Sequence, residues 1–125
     1  MPSRLRIIEH GIVLADFSNV DTNDAVIVLK EAQAFIQQRP RDGSMLLLTD
    51  VTGTGFDQRV MSAMRDFAVH NKPYVRASAV IGMTTIQRII TRALSAMTSR
   101  EIRICDTREE AISYLLSRAG PRAAR

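Results

Sequence analysis

Tryptophan is missing from this chain, and tyrosine plus phenylalanine number only six. A platform for stacking exposed bases is hard to build from so few rings. One cysteine, Cys105, excludes an internal disulfide, and nothing pairs with it at metal-ligand spacing. The start, Met1 to His10, lacks the basic-then-apolar order of a signal peptide. Uninterrupted apolar runs stop at a few residues, such as Met45 to Leu48, so no segment spans a bilayer. A cytoplasmic location is the expectation. Lysine is nearly absent: 15 of the 17 basic residues are Arg, with only Lys30 and Lys72. Acidic residues are scarce in one half. Met1 to Asn71 holds seven basic and nine acidic residues (7 − 9 = −2), and Lys72 to Arg125 holds ten and four (10 − 4 = +6). Such polarity suggests an anionic partner or surface.

What is present is ordinary globular material. The chain has 125 residues, 46% hydrophobic and 24% charged, a one-domain length able to bury a core. The expected domain is 1–125, with a core of about 5–118 and a frayed tail over 119–125. Arg4 to Ile8 and Gly11 to Phe17 read as strands parted by a His10-Gly11 turn. Asp21 is an N-cap candidate, and Ala25, Val28, Leu29, Ala32, Phe35 and Ile36 form a helical stripe that ends before Pro40. Ser44 to Thr49 has the apolar look of a strand covered on both faces. Asp57 caps a second helix whose inner face carries Val60, Met61, Met64, Phe67 and Ala68. Val75 to Met83 is the next strand, and the small Ala77, Ser78 and Ala79 imply close packing there. Thr84 or Thr85 caps a third helix with the clearest stripe in the chain: Ile86, Ile89, Ile90, Ala93, Leu94 and Met97. Glu101 to Cys105 is a last strand. Thr107-Arg108-Glu109-Glu110 fits a capping box for a final helix with Ala111, Ile112, Leu115 and Leu116, ended by Gly120-Pro121. The order β-β-α-β-α-β-α-β-α predicts an α/β fold with a mostly parallel sheet and an antiparallel N-terminal edge strand.

Several stretches resemble bacterial STAS-like domains, the SpoIIAA-like fold of anti-sigma-factor antagonists. They are Asn71 to Met83, Gly11 to Ser18, Leu47 to Thr52, and Asp106-Thr107-Arg108-Glu109-Glu110-Ala111, together reaching from about Ile7 to Leu116. The resemblance implies a non-enzymatic regulatory module that docks a protein, such as a kinase or anti-sigma-like regulator. It also implies a phosphorylatable hydroxyl in the loop after the third strand. Here that loop is Asp50-Val51-Thr52-Gly53-Thr54-Gly55-Phe56-Asp57. It lacks a hydroxyl pair directly after the Asp, so Thr52 and Thr54 are the candidate switch positions. Asp50, Gly53, Gly55, Phe56, Asp57 and Met61 are the expected partner-binding residues.

The loop also follows the carboxyl end of a buried strand, where ligands bind in open α/β sheets. The plainer reading is a glycine-rich turn whose Asp and Thr cap the backbone. Thr84, Thr85, Arg88 and Arg92 form a second candidate, an anion site at a helix start, with Lys72 and Arg76 extending it into a basic patch. Its plainer reading is a capped helix with a solvated face. His10 and His70 are isolated, and Cys105 reads as a small buried hydrophobe. Most methionines fall on core-facing stripes; with Phe56 and Phe67 they could line a cavity for a lipid-like ligand. That makes a small-molecule binder, lipid-like or anionic, the alternative function. No acid/base pair, triad, metal cluster or cofactor fingerprint is present, and no cofactor or metal is expected. The nucleic-acid signal is weak, and a homodimer through the edge strand is open.

Overall fold

A computed structural model describes residues 4–98 and 101–119. The Gly120-Pro121 stop and the rest of the tail lie outside them. Five strands form one sheet in the order β1-β2-β3-β4-β5: β1 Leu5–Ile7, β2 Val13–Asp16, β3 Met45–Asp50, β4 Val75–Ile81 and β5 Ile102–Cys105. β1 pairs antiparallel with β2, and every other pairing is parallel. The predicted α/β architecture and antiparallel edge are both observed. The first connection is a 3-10 turn at Glu9–Gly11 instead of a two-residue hairpin. His10 and Gly11 both take left-handed φ values there, +60° and +73°.

Three helices connect the parallel strands, α1 Thr22–Gln37, α2 Gln58–Asn71 and α3 Thr85–Thr98, and α4 Arg108–Ser117 follows β5. Their starts follow from short polar side chains. Asp21 accepts from the Asn23 amide, Asp57 from Val60 and Thr107 from Glu110, each satisfying an otherwise orphan donor.

The strand pleat sorts the core into two faces. Val13, Ala15, Met45, Leu47 and Val80 meet α1 and α2 through Leu29, Ile36, Val60 and Phe67. Leu14, Leu46, Leu48, Ala77, Ala79 and Ile81 meet α4 through Ala111 and Leu115. β3 is therefore apolar without alternation, because both its faces are covered. The small Ala77 and Ala79 lie under α4, where the close approach expected from them occurs. Leu116 stays partly exposed, so α4 buries a narrower stripe than the sequence pattern implied.

The strongest stripe of the sequence is turned the other way. Ile86, Ile89 and Met97 are 70%, 62% and 69% exposed, whereas Gln87 and Thr91 are buried. The rotation of α3 is set by polar bonds at its start. Thr84 Oγ1 accepts from the Gln87 amide at 3.2 Å, and Gln87 Oε1 accepts from the Thr84 amide at 3.0 Å. This reciprocal box draws Gln87 inward. At about 100° per residue, Ile89 then lies roughly 200° round the helix and faces outward. Met97 is accordingly no core residue. Thr91 shares its surroundings with Thr49 and Ser78 of the sheet and Asn71 of α2, among apolar neighbours such as Leu47, Phe67, Val80 and Met83.

Candidate functional site

Three loops meet at the carboxyl ends of β2, β3 and β4. The β2–α1 and β3–α2 loops begin alike. Asp16 Oδ1 accepts from the Ser18 amide at 3.1 Å and from its hydroxyl at 2.5 Å. One strand over, in register, Asp50 Oδ1 accepts from the Thr52 amide at 2.9 Å and from its hydroxyl at 2.7 Å. Each is an Asp-x-Ser/Thr turn that ends a buried strand by satisfying the next amide. The loops are then laced together. The Asn19 amide donates to the Thr52 carbonyl at 2.7 Å, and the Gly55 amide to the Val20 carbonyl at 2.8 Å. The Thr54 hydroxyl donates to the Phe17 carbonyl.

Two glycines are required by that lacing. A Cβ on Gly55 would stand 2.5 Å from the Thr22 amide nitrogen. Gly82, at φ +86°, lies so close to the β3–α2 loop that a Cβ would fall against Thr52. Its contact with Thr52 depends on the parallel pairing of β3 and β4, which no local pattern reports.

The candidate residues have different surroundings. Thr52 and Gly53 are exposed; Thr54, Gly55, Phe56, Asp57 and Met61 are half-buried. Phe56 packs on the α1–α2 core. Thr52 is the accessible hydroxyl, whereas Thr54 is committed to a backbone carbonyl. Asp57 is bound by Val60 and by Arg59, whose Nη2 donates at 3.0 Å.

The second candidate group is largely used up by its own structure. Thr84 is spent in the box with Gln87. Arg88 pairs with Asp106 at 2.7 Å and also donates to the Met83 carbonyl at 3.4 Å. Thr85 and Arg92 are exposed. The extension to Arg76 does not form. Arg76 lies at the amino end of β4 and donates to the Arg118 carbonyl at 2.7 Å. Five residues of strand, roughly 16 Å, separate it from the end where α3 begins.

His70 stacks on Tyr74 and sits 2.9 Å from Asn71 Oδ1. Cys105 is buried, and burial followed by the Glu110 charge pushes its thiol above the usual range. Between α2, α3 and the sheet is a cavity of about 50 Å³, lined by Met64, Phe67, Met83, Thr91 and Ile102. Asn71 also lines it, and its Nδ2 is buried without a hydrogen-bond partner. That space suits a few water-sized groups; drug-sized ligands occupy about 300–1,000 Å³. Among the described residues no group of three or more His, Cys, Asp or Glu is placed to hold a metal. No helix of the described residues is long and apolar enough to cross a membrane.

Two carboxylates give the loops an acid sensitivity. The Val60 amide, aided by Arg59, holds Asp57 below the usual 3.8 against an opposing desolvation. At Asp16 desolvation acts upward, but the Ser18 hydroxyl and amide, with Arg6 and Arg4, together outweigh it and lower the carboxyl below 3.8. A depressed folded pKa stabilises above the unfolded value and is lost as pH falls through the folded one. Acid unfolding should therefore steepen below pH about 4. In Asp16→Asn that steepening should diminish, followed by circular dichroism from pH 5 to 2. An unchanged profile would remove Asp16 from the account.

The class of protein is now defined: an α/β domain with four strands in parallel, an antiparallel edge strand and interlaced strand-end loops, the STAS-like fold. It superposes on the solved structure of an anti-sigma-factor antagonist (STAS) domain protein from Planctomyces limnophilus with a TM-score of 0.64, covering 90% of this chain and 97% of that one at 13% sequence identity. No protein-family model and no curated protein matches the sequence.

Proposed function

We infer that this chain is a non-enzymatic protein-interaction module of the anti-sigma-factor-antagonist type. It docks its partner through Asp50 to Asp57 and the first turn of α2, and Thr52 is its switch. The observation that carries this reading is the Thr52 hydroxyl: exposed, at the carboxyl edge of the sheet, and donating to Asp50 in a turn that packs on Gly82. A phosphate there adds about −1.5 to −2 charge and removes the donor that Asp50 accepts. Two anionic groups are then left face to face, and the turn opens. Thr54 is the poorer site, because modifying it must first break its bond to Phe17.

The switch is testable without knowing the partner. Thr52→Glu should speed amide hydrogen exchange across residues 50–55, and adding Asp50→Asn should slow it again. Incubation with ATP and a bacterial anti-sigma-factor kinase should add one phosphate, absent in Thr52→Ala by intact mass. Unchanged exchange in Thr52→Glu, or a phosphate that persists in Thr52→Ala, removes Thr52 as the switch. The cavity under α3 gives the lipid-like alternative little room.

A further inference from the structure

We propose that the outer face of α3 is a docking surface for an acidic amphipathic helix of another protein. Ile86, Ile89, Ala93 and Met97, with Ala96 between the last two, run along the exposed side of this helix. Their spacing of three and four residues is a seam of the kind a second helix packs against. The small Ala93 and Ala96 sit where a partner backbone must come close. The face is not left open by loose folding, because the Thr84–Gln87 box and the Arg88–Asp106 pair hold α3 in this rotation.

Charge decides which occupant fits. No Asp or Glu occurs between Asp66 and Glu101, so α3 carries only positive charge. Arg88 is already paired with Asp106. Arg92, one turn on, is exposed and has no carboxylate within 4.0 Å among the described residues. A partner helix with Leu or Ile on its seam and Glu on its flank covers the stripe and neutralises Arg92.

The other occupants fit less well. A second copy brings its own Arg92 and no acid on α3. A lipid surface is held by clusters of about four to eight cations. Here, among the described residues of α3, Arg92 is the one arginine left over, because Arg88 is paired with Asp106.

The test uses the full chain and a synthetic peptide of about 18 residues, enough to cover the four turns of α3. The peptide has leucine at its seam positions and glutamate on both flanks; a control replaces each glutamate by lysine. Fluorescence anisotropy should show binding of the acidic peptide alone, weakened by salt. Hydrogen exchange should place the protection on Ile86 to Met97. Ile89→Glu and Arg92→Glu should each weaken binding at least tenfold. Ile27→Glu, at an exposed position on α1, should leave it unchanged. The side chains replaced are solvent-facing, so the variants keep the fold, checked by circular dichroism. The proposal is overturned if neither peptide binds or both bind alike. It is also overturned if sedimentation shows a dimer that Ile89→Glu dissolves, or if phosphatidylglycerol–phosphatidylcholine vesicles bind the chain through Ile89. None of these readouts involves Thr52, so the loop switch and the α3 surface stand or fall separately.

Discussion

Leu48→Ala is expected to destabilise the domain by about 3–5 kcal/mol, the upper range for removing a buried leucine side chain. Leu48 is 0% exposed and sits at the centre of the sheet. Its side chain belongs to the core beneath α4, with Leu14, Leu46, Ala79 and Leu115. β3 is flanked by β2 and β4, so its backbone cannot move to fill the space without breaking two ladders. The cost is therefore the lost transfer energy plus an unrelaxed cavity. Against a usual total of about 5–15 kcal/mol, that is a large share. Urea unfolding should show a much lower midpoint with an unchanged slope. A loss below about 1 kcal/mol would mean that α4 collapses onto the sheet.

Gly82→Ala should cost about 2–4 kcal/mol, combining backbone strain with a clash. The added Cβ would meet the Thr52 hydroxyl, and it would stand 2.5 Å from the Thr52 amide nitrogen and 2.7 Å from its Cα. Two of these three atoms are main chain. Thr52→Ala should therefore fail to rescue the variant, since it removes only the hydroxyl. The φ of +86° is itself unfavourable for a residue with a Cβ. Urea unfolding of both the single and the double variant measures this. Full rescue by Thr52→Ala would show that the side chain alone is in the way. Because Gly82 lies two residues before the Thr84 cap, the strain should also raise hydrogen exchange in the first turn of α3.

The elements were legible where the signal is local. Asp21, Asp57 and Thr107 announce helix starts because a short side chain can satisfy a nearby amide without tertiary help. The unbroken run Met45 to Leu48 marks a central strand because such a run has no polar side to turn to water. The loop after β3 was visible from its Asp, Thr and Gly content, but its connection to Asn19, Thr22 and Gly82 was not. Those residues lie about 30 positions away on either side, and their contacts follow from the register of β2, β3 and β4.

The third helix shows the limit of pattern. Its periodicity reports correctly that one side is apolar, and says nothing about which side faces the protein. Sequence by itself determined the order of elements, the caps, the doubly covered β3 and the antiparallel edge, because each depends on neighbouring residues or on composition along one strand. Only the tertiary structure decided that Gln87 and Thr91 turn inward, that Arg76 and Arg88 lie at opposite ends of β4, and that Thr52 rests on Gly82. Each of these depends on which surfaces meet. The Thr84–Gln87 box draws Gln87 inward, and Ile86, Ile89 and Met97 are left facing water.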